Sequence, residues 1–267
     1  MRKESGSEFL YQLFALMFSF IVIHSIYVML IRPNADAIVQ HQMAQQAAGE
    51  VYVEQRSVYV VLKDYEQETC LVLMLWALLI MGHKAYLLKK ERAALHRDLL
   101  TLNEGTSILP DDTRNYARVI QQLPASEQRR LAPRVLLLGL QRFGSTEDVA
   151  AAATAVKDAC DAEADRLDSE LSMIRYIGWA IPSIGFIGTV RGIGAALGQA
   201  HRAVEGDIAG VTLNLGVAFN STFIALVISI FIMFFSHQLQ LQQERLVQRT
   251  LDYCDDKLLS HLKTGQL

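Results

Sequence analysis

Residues 176–200 read YIGWAIPSIGFIGTVRGIGAALGQA, an apolar run with Arg191 as its one strong charge. A helix of this length crosses a bilayer, which needs about 20 apolar residues. Three further runs have the same character. Leu213–His237 follows it closely, Cys70–Leu88 carries the core LVLMLWALLIMG, and Phe9–Ile31 holds His24 as its only strongly polar member. The first run is too long for the ~7–15-residue core of a cleaved leader, and Arg32-Pro33 follows it instead of a small-x-small site. The reading is an all-α polytopic membrane protein with four transmembrane helices, the last two prolonged into cytoplasmic helices.

Composition agrees. The 267-residue chain is 51% hydrophobic, with a mean hydropathy of +0.21 and a net charge of −3. Apolar surface is too plentiful for disorder. The 25 Lys and Arg are offset by 28 Asp and Glu, so no basic excess exists to neutralise phosphates and no nucleic-acid partner is expected. Cys70, Cys160 and Cys254 have neither zinc spacing nor a disulfide framework and read as small buried thiols.

Lys and Arg near the span ends orient the chain. Lys84, Lys89, Lys90, Arg92 and Arg97 follow span two; Arg245, Arg249, Lys257 and Lys263 follow span four; Arg2 and Lys3 precede span one. Loop 33–69 is acidic, with Asp36, Glu50, Glu54, Asp64, Glu66 and Glu68 against Arg56 and Lys63. Both termini and residues 89–172 are therefore expected in the cytoplasm, with loops 33–69 and 201–212 on the other side. The divisions are 1–88 (tail, two spans, extracytoplasmic loop), 89–172 (cytoplasmic helical segment), 173–237 (spans three and four) and 238–267 (cytoplasmic C-terminal helix). Ser145 and Asp148 form a candidate capping box. From there Val149, Ala152, Ala153, Val156, Cys160, Leu167, Leu171 and Ile174 recur at helical steps, which predicts one helix running into span three. After span four, Leu239, Leu246, Leu258 and Leu262 are candidate packing positions. Loop 33–69 mixes a polar helical stretch with an alternating one, VYVEQRSVYVVL, whose structure the pattern leaves open.

No Walker A sequence, G-x-S-x-G elbow, H-E-x-x-H pair or metal-ligand cluster is present, so neither an enzyme nor a cofactor is expected. His24 and His83 are weaker candidates for a proton relay or haem ligation, and His83 beside Lys84 suits an interfacial position.

In span three, Gly188–Gly192 and Gly194–Gly198 both have the spacing that lets helices approach closely in lipid. Thr189 shares a face with Gly185, Gly192 and Ala196. In span four, Asn214, Ala218, Ser221, Thr222, Ala225, Ser229 and Ser236 form a stripe of small and polar residues. Such a stripe belongs against helices, water or a polar pathway. No Asp or Glu interrupts the apolar cores of the spans. Hydroxyls do not take up protons near neutral pH, so a carboxylate relay would need an acid from a partner. Arg191 sits ~200° around the helix from Thr189 and is expected at a helix interface or snorkelling to the outer headgroups.

Ile177–Gly194 resembles the P-x-x-G-x-x-G-T-V-x-G-I signature of the MotA/TolQ/ExbB proton channel family, with Pro182, Gly185, Gly188, Thr189, Val190, Gly192 and Ile193 on the pattern. Ala218–Ile230 is similar to that family's next span through Ala218, Thr222, Leu226 and Ile230, with Ser221 replacing a Thr. The resemblance covers roughly 165–262, and the two leading spans look more like the flagellar stator branch. Arg191 and Ala225 depart from the pattern, as does a missing Pro in span four.

The resemblance implies a homopentamer around a dimeric single-span partner, which brings an intramembrane Asp and an extracytoplasmic domain. It implies an ion pathway at Thr189 and Thr222 with Ser221 in support. Gly185, Gly188, Gly192, Ala218 and Ala225 would pack at subunit or partner interfaces. Arg191 would be a structural charge. The ion would be H+, with Na+ left open by Ser221 beside Thr222, and the location a bacterial inner membrane. The rival reading is a non-conducting scaffold or sensor whose cytoplasmic helices bind a signalling partner.

Overall fold

The computed structural model describes residues 2–47, 57–95, 99–100, 106–204, 206 and 208–264. Its helices are α1 (Arg2–Ile26), α2 (Arg32–Ala47), α3 (Val58–Leu62), α4 (Tyr65–Leu95), α5 (Thr113–Gln121), α6 (Ala125–Gln128), α7 (Leu131–Thr146), α8 (Val149–Glu170), α9 (Ser172–Gly198), α10 (Ala200–Val204) and α11 (Ala209–Lys257). Among the described residues extended backbone pairs only in an isolated bridge between Ile108 and Leu262. Among the described residues four helical runs are long and apolar enough to cross a membrane: Glu8–Gln42, Tyr65–Leu95, Val149–Gly198 and Ala209–His261. The last two are 50 and 53 residues long, well beyond a bilayer's thickness. The all-α, four-span expectation holds.

The chain divides into two compact units. One comprises Met1–Gly82 with Met173–Ser236, the other His83–Ser172 with His237–Leu267.

In the first unit, large apolar side chains point outward: Phe9, Phe14 and Phe18 on α1, Trp179 and Phe186 on α9, Phe219 and Phe223 on α11. Water would not support so wide an apolar surface; lipid does. Polar tips on these helices find backbone acceptors. Tyr11 Oη donates to Leu79 O at 3.1 Å, and Trp76 Nε1 to Gln12 O at 2.9 Å, tying α1 to α4.

The sequence reading ends span one at Ile31, but helical backbone continues to Ala47. Pro33 has no N–H for the carbonyl four residues back. The helix widens into a π-turn over Tyr27–Ile31 just before it and then resumes. Of the alternating stretch, 51–56 lie outside the described residues. Val58–Leu62 form α3, capped by Ser57, whose hydroxyl accepts from Tyr59 N–H at 3.3 Å. Helix α4 begins at Tyr65, so Glu66 and Glu68 fall in its first turn, where the helix dipole favours carboxylates.

The second unit has a conventional apolar core. Leu136, Leu140 and Phe143 of α7 meet Val156 and Cys160 of α8, and Cys254 of α11 and Leu258 just past its end close it. Leu239, Leu246, Leu258 and Leu262 are all buried, as are the three free cysteines, in agreement with the sequence reading. Ion pairs surround this core: Lys84 Nζ lies 3.0 Å from Glu170, and Glu163 bridges Arg134 at 2.7 Å and Arg166 at 2.6 Å.

One local expectation changes. Ser145 is no cap: its hydroxyl bonds Arg142 O inside α7, and Asp148 itself caps α8 by accepting from Ala150 N and Ala151 N. An ionised carboxylate reaches two free N–H groups where a hydroxyl reaches one. Asp148→Ala should lower stability by about 1 kcal/mol, read as a shifted thermal midpoint of the purified chain. The helix predicted to run into span three does so: Val149–Gly198 is one helical run, with a tight turn at Leu171, whose N–H bonds Asp168 O at 3.1 Å.

Candidate functional site

Helix α9 lies on α11 along the face the sequence singled out. Gly185, Gly188 and Gly192 are buried, and opposite them Ala225, Ser221 and Ala218 are at most 1% exposed. A Cβ on Gly192 would stand 2.7 Å from Ala218 N and 2.8 Å from Asn214 O. On Gly188 it would stand 2.5 Å from Ser221 Cβ, and on Gly185 it would strike Ala225 Cβ. These six residues thus seat two helices of the same chain. Gly194 and Gly198, with identical spacing, meet nothing within 4 Å.

Pro182 explains another stripe residue. It cannot donate to Gly178 O, four residues back. That carbonyl accepts instead from the buried Ser229 hydroxyl of α11 at 3.1 Å. In a medium without water the freed acceptor needs such a donor.

The expected pathway hydroxyls meet at the centre of this contact. Thr189 Oγ1 and Thr222 Oγ1 are hydrogen-bonded to each other. Thr222 also reaches Gly185 O at 3.0 Å, and Thr189 reaches Ala218 O at 3.1 Å and Gly185 O at 3.3 Å. Each hydroxyl carries one proton and two lone pairs. Two protons therefore choose among more acceptors than they can serve, and the pair can reverse its hydrogen-bond direction without moving a helix. Ser221 lies one residue away, buried, with its hydroxyl on Val217 O at 2.7 Å.

Arg191 of α9 meets the start of α4. Its Nε lies 2.8 Å from Glu66 Oε1, its Nη2 2.8 Å from Glu66 Oε2, and its guanidinium 3.6 Å from Asp64. The fork of guanidinium on carboxylate is the favoured geometry for such a pair. Asp64 receives only the longer contact, and its Oδ2 is buried with no hydrogen-bond partner. Burial raises the Asp64 carboxyl above the usual range, while Lys63 and Arg191 pull it back. Lys63, Asp64, Arg191, Gly192, Asn214 and Val217 line a cleft of about 190 Å³ here.

A second charged cluster escaped the sequence reading. Glu68, 5% exposed, accepts from Arg32 and lies 2.7 Å from His24 Nδ1. The Arg32 guanidinium stands 4.4 Å from the Tyr65 ring centroid and 5.7 Å from that of Tyr27, and His24 stacks on Phe20. A signal was present: Arg32 ends one apolar run and Glu66 and Glu68 precede the next on the same side. Opposite charges level with one another beside lipid should pair.

Fold and site together define a multi-pass helical membrane protein whose last two spans are glycine-seated and joined by hydroxyls. Residues 127–251 match the model of the MotA/TolQ/ExbB proton channel family. The match begins before the ~165 suggested by the motifs and takes in α7 and α8. Neither the curated proteins nor the solved structures contain a match to the chain.

Proposed function

We propose that this chain is the pore-forming subunit of a rotary motor driven by ion-motive force, with the proton as the ion. In this reading five copies surround a dimeric single-span partner carrying an intramembrane Asp. Ion flow rotates the ring against the partner and delivers mechanical work to the cell envelope. The location is the bacterial inner membrane with both termini cytoplasmic, and the four-span plan follows the flagellar stator branch.

The observation that carries the proposal is the Thr189–Thr222 pair at a glycine-seated crossing within the family-matched segment. Residues 176–200 and 213–237 hold no Asp or Glu, so these spans present hydroxyls and leave the titrating acid to another chain. The partner's Asp would exchange its proton beside these hydroxyls, which relay hydrogen bonds without ionising. Each proton crossing ~100 mV releases about 2.3 kcal/mol, so several drive one step.

The test rebuilds the complex with its partner and measures gradient-dependent activity. Thr222→Val should lower activity about tenfold or more, the effect of losing a hydrogen bond of ~1.5–3 kcal/mol to a charged species. Thr222→Ser should retain most of it. Activity at the wild-type level in Thr222→Val refutes the pathway. Copurification as a monomer or dimer without a single-span protein would instead favour the scaffold reading.

A further inference from the structure

The cleft beside Arg191 is not lined by the threonine pair, yet both are built on α9 and α11. Asn214, on its wall, is one turn from Ala218, whose carbonyl takes the Thr189 hydroxyl. The Glu66 side chain and Ser221 adjoin at Gly188: a Cβ there would lie 3.2 Å from Glu66 Cγ and 2.6 Å from Ser221 Oγ. A carboxylate cluster, a cleft and the hydroxyl row are therefore contiguous.

We propose that Asp64 is a proton-binding site at the mouth of the α9–α11 pair, which takes a proton from water in the cleft and passes it toward Ser221 and the two threonines.

Three observations select the proton and this residue. Glu66 occupies both arms of the Arg191 fork, which leaves Asp64 only the longer 3.6 Å contact with that guanidinium. Asp64 lines the cleft with its side chain 15% exposed, so water reaches the group, while its Oδ2 is buried without a donor and favours carrying a proton. The charges facing Asp64 are Lys63 beside it, Glu66 on α4 and Arg191 on α9, with the Tyr27 ring near from the π-turn. The two cations cancel the two carboxylates. A metal cation would meet Lys63 and Arg191 with one free carboxylate oxygen to bind it, whereas a proton needs only that oxygen. Uptake at Asp64 stands by itself; only the onward path rests on the pore reading.

Infrared difference spectra of the full chain in lipid bilayers, between about pH 8 and about pH 5, read the site directly; ordinary Asp is still mostly ionised at the lower value. A protonated-carboxyl band should grow on acidification, move with carboxyl-¹³C aspartate labelling, and vanish in Asp64→Asn. In Glu66→Gln the freed Arg191 turns to Asp64, and the band should grow only at lower pH. Coincident wild-type and Asp64→Asn spectra overturn the proposal. So does a band that ignores aspartate labelling, a result that needs no variant to fold. In the rebuilt complex Asp64→Asn should lower gradient-dependent activity about tenfold or more. An intact band with unchanged Asp64→Asn activity overturns the onward transfer alone. An intact band with wild-type activity in Thr222→Val refutes the threonine pathway and leaves Asp64 standing.

Discussion

Gly192→Leu is expected to separate α9 from α11 and to remove the folded first unit. The atoms that a Cβ would meet are Ala218 N and Asn214 O of the backbone and Ala218 Cβ, which has no rotamer, so no side-chain rotation relieves the collision. Overpacking costs about 1–3 kcal/mol where side chains can give way; here the cost should exceed that range. Spans associate in lipid by close packing and a few hydrogen bonds, with little hydrophobic drive to compensate. Widening the crossing would also pull Thr189 from Ala218 O and Thr222 from Gly185 O. The fraction surviving heating as a folded species in mild detergent measures this. Gly194→Leu is the matched control: with nothing within 4 Å of its Cβ, it should leave that fraction within about 0.5 kcal/mol of wild type. A Gly192→Leu protein as heat-resistant as Gly194→Leu would show that this helix contact does not hold the unit together.

Glu68→Ala is expected to have the next largest effect, about 3 kcal/mol or more. The carboxylate is buried, and the Arg32 side chain facing it is only 24% exposed. Removing one member of such a pair leaves the other charge desolvated, and that penalty dominates. The Tyr27 and Tyr65 ring faces recover part of it, since cation–π contacts contribute about 0.5–2 kcal/mol. His24 loses its acceptor as well, which loosens α1 from α4 at this level. A double-mutant cycle with Arg32→Met isolates the cause: the double variant should be less destabilised than the sum of the singles, because no orphan charge remains. Strict additivity in that cycle would mean that the two side chains are not coupled.

Helix content, span number and the packing faces were legible because they depend on composition and period. A run of apolar residues long enough for a bilayer has one low-energy answer, since every backbone group must be bonded within the segment. The stripe from Asn214 to Ser229 points at α9 for the same reason: polar groups on a lipid-facing surface lack partners. The start of α4 was less legible. Glu66 and Glu68 look like loop residues because charges outside an apolar run default to water. Their burial depends on Arg191 and Arg32, which lie 125 and 36 residues away along the chain. Asp148 displaced Ser145 as a cap for a local reason, the second oxygen of its carboxylate.

The amino-acid order alone thus determined that the chain spans a membrane four times, and which face of its last two spans is small and hydroxylated. Both follow from solvation, which each segment settles with its surroundings. Only the tertiary structure decided which of two identically spaced glycine pairs seats a helix. It alone showed that Ser229 serves the carbonyl freed by Pro182, and that one aspartate oxygen is left without a donor beside a satisfied arginine. These are matters of register and partner choice between distant segments, and they turn on contacts of 3–4 Å that no spacing rule within one helix specifies.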